Sequence, residues 1–478
     1  MLEISEHDLL RSLRQDNPWW PSDNASAPTT FVKRRAYFPQ FKHLVLSSSV
    51  RRAVILMGPR RVGKTVMLQQ LIEDALREGM APSSIFFSSL DTPLYSGMSL
   101  DRLLELFEKS AEHDPKQRRL IIFDEIQYHK DWEIHLKILT DKFPHTRFVA
   151  SGSAAAALRL KSQESGAGRF TDFFLPPLTF AEYLDFLDLE DALIQPETIG
   201  RTLRFKTNDI EGLNGEFINY LNFGGYPEAV LNREVRADVQ RFLGRDIIDK
   251  VLLRDLPSLY GIQDIQELNR LFATIAYHSG QEISLDALAS TSGVAKNTIS
   301  RYLEYLEAAF LIVRVKRIDD LGKKFQRMRS FKVFLTNPSM RAALFAPLSD
   351  GDDAMGAMAE TAIFSQWFHS DMMREIHYAR WKSGRSDREV DLVRVSPSDL
   401  KATWAYEIKW TDRYVERPNE LRGLIEFAKK NGIGRIPVGC SSKTKNAESI
   451  VDGVRIRHFP CALHCYQIGR NLIEGRPA

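Results

Sequence analysis

The run Gly58, Pro59, Arg60, Arg61, Val62, Gly63, Lys64, Thr65 sets two glycines, a lysine and a hydroxyl at the spacing that cradles a triphosphate. Gly58 and Gly63 free the backbone to curl its N–H groups around phosphate, and the helix opening through Val66 adds the positive end of its dipole. Lys64 is placed to reach the β and γ phosphates and Thr65 to ligate Mg2+. Arg60 and Arg61 either touch phosphate or lie exposed beside it. The segment from Gly58 to Val66 is therefore the candidate cofactor-binding loop, and its cofactors are ATP and Mg2+.

A phosphate cradle alone hydrolyses nothing, because water must be activated and the metal held on its second side. The sequence RRLIIFDEIQ supplies both groups. Leu120 to Phe123 form an apolar run, leaving Asp124 at its carboxyl end for the Mg2+ shell and Glu125 beside it as general base. Downstream, RFVASGS ends in small polar residues, of which Ser151 or Ser153 is positioned to hydrogen-bond the attacking water.

A second set of candidate metal ligands lies far along the chain. Asp391 falls in the apolar run REVDLVRV, and in WAYEIKW the pair Glu407 and Lys409 straddles Ile408, so both leave one face of a strand. Asp391 and Glu407 suit Mg2+, with Lys409 orienting or deprotonating a water and Glu360, on a preceding helix, adding a further contact. The set His458, Cys461, His464 and Cys465 is read against zinc, because His464 and Cys465 would point opposite ways on a strand.

These residues need elements to hold them. RRAVILMG and TVMLQQLIEDALRE read as strand, glycine loop and helix, the helix buried through Met67, Leu68, Leu71, Ile72 and Ala75. With the strands at 120–123 and in RFVASGS, strands near 84–90 and 172–178 complete a five-stranded parallel α/β domain. From about 181 to 280 the pattern is mostly helical, with FGGYPEAV as its sharp turn. Residues 283–318 have the grammar of a winged helix-turn-helix, with Lys296, Asn297, Thr298, Ser300 and Arg301 left outside. The stretch 314–332 carries eight basic side chains against two acidic ones, a basic arm suited to phosphate. The expected division is 1–180, 181–280, 281–345 and 346–478, with NASAPTT at 24–30 a linker.

Composition narrows the function classes. The formal net charge of +3 on 478 residues gives no overall field for nucleic acid, so any such binding uses local patches. Three cysteines leave an odd count and no disulfide framework, which fits the cytoplasm. No apolar run approaches the roughly 20 residues that cross a bilayer, so no membrane is called for.

The motifs NPWW, GPRRVGKT, IIFDEIQ, ASGS, GRFTDFFLPPLTFAEYL and FGGYPEAV occur in the order seen in the AAA-type ATPase family of bacteria and archaea called AAA_14/DUF4143, which the chain resembles over nearly its whole length. The resemblance implies a fold with an added central strand, a sensor role for Ser151, and a role for Arg169 on a neighbour's nucleotide or on the γ phosphate. A finger in trans implies a homo-oligomer. Between 355 and 465 the order Glu, Asp, Glu-x-Lys looks like the PD-(D/E)xK nuclease superfamily. The expectation is an ATPase coupled to DNA, branched or forked, with Mg-dependent cleavage open. The alternative is a nucleotide-controlled switch that docks a protein partner through the winged helix, its nuclease-like domain inert.

Overall fold

The computed structural model describes residues 5–20, 32–95, 97–110, 118–152, 168–199, 202–323, 330–368, 370–433 and 437–476. Ser153, the linker at 24–30 and basic-arm residues 324–329 lie outside them. The chain forms two compact units, Met1–Leu175 and Pro176–Ala478. The boundaries read at 280 and 345 therefore fall inside one unit.

The first unit is built on β1 (Ala53–Met57), β2 (Ile85–Ser89), β3 (Arg119–Asp124), β4 (Thr146–Gly152) and β5 (Phe170–Phe174), all parallel, in the order β2-β3-β4-β1-β5. β1 and β3 are buried along their whole length, which is why they read as unbroken apolar runs. β4 separates β1 from β3, the inserted central strand that the resemblance implied. Helices α1 (Glu6–Asp16), α2 (Lys64–Arg77), α3 (Leu100–Ser110) and α4 (Trp132–Lys142) belong to this unit; Leu9, Phe107 and Trp132 join Phe86 and Phe123 in one core.

The NPWW motif closes the edge of this sheet. The Asn17 side chain donates to the Phe87 carbonyl at 2.9 Å and accepts from the Phe87 N–H at 2.7 Å, as a neighbouring strand would. Both Trp19 and Trp20 donate their indole N–H to the Ile85 carbonyl. The exposed ladder of β2 is thus capped by side chains.

The second unit opens with α5 (Phe180–Phe186), the hairpin β6 (Gln195–Ile199) and β7 (Thr202–Lys206), and α6 (Ile210–Phe223). The hairpin interrupts a stretch that reads as mostly helical. At FGGYPEAV, Gly224 takes an ordinary helical φ of −72°, and a Cβ on Gly225 would lie 2.3 Å from the Asn337 side chain, so close packing and not positive φ explains this pair.

After α7 (Ile265–Tyr277) come β8 (Glu282–Ser284), α8 (Leu285–Ser292), α9 (Lys296–Ala308), β9 (Ile312–Ile318) and β10 (Ser330–Leu335). Gly293 makes the turn with φ +73°. The remainder runs α10 (Met355–Trp367), β11 (Ile376–Ser383), β12 (Ser386–Val395), β13 (Ala402–Glu407), α11 (Arg422–Asn431), β14 (Val438–Ser442), β15 (Ala447–Val451), β16 (Val454–Pro460) and α12 (Cys461–Ile473). One nine-stranded sheet, β15-β16-β14-β13-β12-β11-β9-β10-β8, joins both parts through the parallel pairing of β9 with β11. His464 and Cys465 lie on α12 and not on a strand, because Pro460 ends β16 and the apolar spacing turns helical.

Candidate functional site

The loop between β1 and α2 keeps its backbone close to the sheet. A Cβ on Gly58 would sit 2.2 Å from the Leu175 carbonyl oxygen, and Gly63 has φ +94°, so both glycines are required by geometry. Arg61 takes the left-handed region at φ 63°. Lys64 is buried and donates to the Gly58 and Pro59 carbonyls at 3.0 and 2.8 Å. Arg60 donates to the Tyr128 hydroxyl at 2.9 Å, and Arg35 steadies the loop from outside by donating to the Val62 carbonyl at 2.7 Å.

Thr65, Asp124, Ser151 and Glu125 meet at the carboxyl ends of β3 and β4. Thr65 Oγ1 donates to Asp124 Oδ2 at 2.7 Å, Ser151 Oγ donates to Asp124 Oδ1, and the Glu125 N–H donates to Ser151 Oγ at 3.2 Å. Burial, reinforced by the Glu125 charge, raises the Asp124 carboxyl above its ordinary value despite both hydroxyls. Glu125 sits in the left-handed region at φ 54°, a strained conformation for a residue with a Cβ, and Gln127 donates to its carboxylate. Sequence reasoning missed Gln127, Arg35 and Tyr128; the proximity of Gln127 to the DE pair was the one available signal.

Arg169 lies elsewhere. Its carbonyl accepts from the Ala53 N–H, so it stands at the entry of β1, one full strand, roughly 16 Å, from the loop at the other end. Its guanidinium pairs with Asp141 at the surface, 2.5 Å away. A reach to the γ phosphate bound by its own loop is not available from there.

The structure also brings Glu360, Asp391, Glu407 and Lys409 together. Lys409 Nζ meets Asp391 Oδ2 at 2.9 Å and Glu407 Oε2 at 2.7 Å, although β13 ends at Glu407. Ser441 carries the pairing one step further, accepting from the Lys409 N–H and donating to its carbonyl. A residue that sequence reasoning assigned to the basic arm enters the same pocket. Lys332 on β10, its side chain 3% exposed, lies 2.8 Å from Glu360, 2.6 Å from Glu389 and 3.4 Å from Asp391.

Burial and neighbouring charge set the protons here. Burial opposes the Asp391 charge, but Lys409 and Lys332 outweigh it and hold the carboxyl well below its usual range. Burial pushes Glu360 up to about 7, and burial with the Asp391 charge drives Glu407 far above the usual carboxylate range. Both lysines, in spite of burial, are held well above an ordinary ammonium by these carboxylates. Among the described residues no group of three or more His, Cys, Asp or Glu side chains is arranged to hold a metal ion.

On α9, Lys296, Asn297 and Arg301 are exposed, and Thr298 and Ser300 half-buried. The basic arm is weaker than its count. Lys332 is buried, Arg314 pairs with Glu307, and Arg317 donates to the Arg380 carbonyl, which leaves Lys316 and Lys323 exposed among its described residues.

With this geometry in view, residues 50–184 match the family model described as AAA domain (AAA_14), so that stretch has the fold of an AAA-type P-loop ATPase domain. Residues 214–351 match a domain of unknown function, DUF8612, where the resemblance had suggested DUF4143. Among relatives, an uncharacterized protein of Haemophilus influenzae is 23% identical over 292 residues, covering 60% of this chain and 68% of that one. An uncharacterized protein of Methanocaldococcus jannaschii is 23% identical over 366 residues, 74% of each. Among solved structures, the Hsp104–ADP complex of S. cerevisiae has a TM-score of 0.30 at 12% identity, covering 58% of this chain and 38% of that one. The replication initiator DnaA bound to AMPPCP and single-stranded DNA has 0.27 at 15%, covering 58% and 90%. No described helix is long and apolar enough to cross a membrane.

Proposed function

We propose that the chain is a Mg-dependent ATPase whose nucleotide cycle drives or gates work on DNA. The observation that carries the ATPase half is the joint anchoring of Asp124 by Thr65 and Ser151 beside the loop, 2.7 Å for the Thr65 bond. ATP is the substrate, and its phosphates displace the Gly58 and Pro59 carbonyls from Lys64. Thr65 and Asp124 are hard oxygen donors side by side, a set that fits Mg2+, and the ion when bound neutralises charge on the phosphate oxygens. Glu125, steadied by Gln127, takes the proton of the attacking water, and Ser151 couples that carboxylate's backbone to Asp124. Arg169 acts in trans, on the nucleotide of the next subunit in a homo-oligomer.

The DNA half rests on the exposed polar start of α9 and on Lys316 and Lys323 with residues 324–329. Residues 1–180 supply the ATPase, 181–280 a helical linker, 281–345 the reader and 346–478 the nuclease-like fold, in the cytoplasm. A branched or forked duplex suits two separate gripping regions. The pairing of Arg314 and Lys332 with carboxylates favours a second reading, in which the winged helix docks a protein and the nuclease-like domain is inert. ATP turnover measured with single-stranded, duplex and forked DNA decides: stimulation that falls steeply with salt supports the first reading, and no DNA effect at low salt rejects it. Glu125→Gln should bind ATP and turn over at least about a hundredfold more slowly.

A further inference from the structure

We infer that Lys332 is the resident cation of the C-terminal acidic pocket: it fastens the winged-helix strand β10 to α10 and β12 and stands where a divalent metal would have to stand, so the pocket binds neither Mg2+ nor Mn2+. The inference goes beyond the ATPase reading and does not depend on nucleotide. Its basis is the bridging pattern. Glu360 and Asp391 are bridged by the Lys332 ammonium, at 2.8 and 3.4 Å, and Asp391 and Glu407 by that of Lys409, at 2.9 and 2.7 Å. Two of the three pairs among Glu360, Asp391 and Glu407 are thus already linked by nitrogen, and Asp391 belongs to both. Asp391 Oδ2 is engaged twice, accepting the Ile408 N–H at 2.9 Å as well as facing the Lys409 ammonium, and Oδ1 faces Lys332.

Lys332 cannot easily withdraw. Its backbone lies inside the sheet, paired with Val315 on β9 and Glu282 on β8, and its ammonium lies 5.5 Å from the centre of the Tyr378 ring. Swinging out would strip a buried ammonium of three carboxylates and take the cation away from buried Glu360, the kind of break that buried ion networks resist most. Admitting a divalent ion with both lysines in place would crowd three cations into one buried pocket. The four residues that resemble a nuclease site are therefore retained here as half of an internal ion lattice, and the other half comes from the neighbouring winged helix.

Mn2+ titration of the nucleotide-free full-length chain, read by electron paramagnetic resonance and calorimetry, tests this. Wild type and Asp391→Asn should bind the same number of Mn2+ ions. Lys332→Met should bind one more, and Lys332→Met with Asp391→Asn should lose it again. A wild-type site that disappears in Asp391→Asn overturns the proposal, as does a folded Lys332→Met protein that gains none. If Lys332→Met fails to fold by near-UV circular dichroism, the comparison of wild type with Asp391→Asn decides alone.

Discussion

Replacing Gly58 by alanine tests whether the loop is a cradle or merely a turn. The new methyl carbon would lie 2.2 Å from the Leu175 carbonyl oxygen and 3.4 Å from Val62 Cγ2. Carbon and oxygen in contact need more than an ångström beyond that. The oxygen belongs to backbone pinned by the Leu175 N–H donating to the Met57 carbonyl at 2.7 Å, so it cannot yield without loosening the junction of β1 and β5. The loop must move instead, by about an ångström. Overpacking of this kind costs about 1–3 kcal/mol of stability, and a shift of that size among positioning groups costs about a hundredfold in turnover. The checks are thermal unfolding, equilibrium binding of an ATP analogue and steady-state hydrolysis. Gly215→Ala, with open space around its Cβ, is the control and should leave hydrolysis unchanged. Gly58→Ala protein that binds and hydrolyses ATP as wild type does would refute the assignment of this loop to phosphate.

Ser151→Ala removes the donor to Asp124 and the acceptor of the Glu125 N–H; kcat should fall by about tenfold to a hundredfold while equilibrium ATP binding changes little. Asn17→Ala uncovers the edge of β2 and should cost about 1–3 kcal/mol, seen as faster amide exchange at Phe87 than at Ile121 in the sheet interior. Burial, aided by Arg457, depresses His464 from 6.5 to about 3. The native protein then binds fewer protons than the unfolded chain between those values, so stability should fall as pH drops from about 6.5 towards 3. His464→Phe should flatten that limb of a denaturation series, and an unchanged slope would exclude His464 as its cause.

The nucleotide end was legible because its chemistry is contiguous. Four fixed positions within one loop, flanked by a buried strand and an amphipathic helix, specify local geometry almost by themselves, and the parallel sheet follows from apolar runs that alternate with helices. Asp124 and Ser151 could be placed at the strand ends for the same reason, since Asp124 ends one strand and Ser151 lies one residue before the end of the next. Arg169 was harder, because its neighbours are set by the direction of β5, and only the register that places it beside Ala53 shows it to be far from its own loop. The helix at Cys461 was misread through a short ambiguous run, in which Pro460 carried the boundary.

Lys332 shows where charge counting fails. In RVKRIDDLGKKFQRMRSFK it is one more base at the end of a run, yet the next three residues, Val333, Phe334 and Leu335, are apolar and buried, and the strand it belongs to is paired on both sides, by β9 and β8. A lysine inside such a strand has to find carboxylates, since the alternative is an unpaired buried ammonium. Its partners Glu360 and Asp391 lie 28 and 59 residues away. They were themselves visible as a set short of positive charge, with Lys409 alone facing three acids. Those two imbalances, an unexplained base in an apolar strand and an excess of acids in a neighbouring core, are the same fact seen from two segments. Neither segment states it alone, and the pairing of β9 with β11 is what brings them into one sheet.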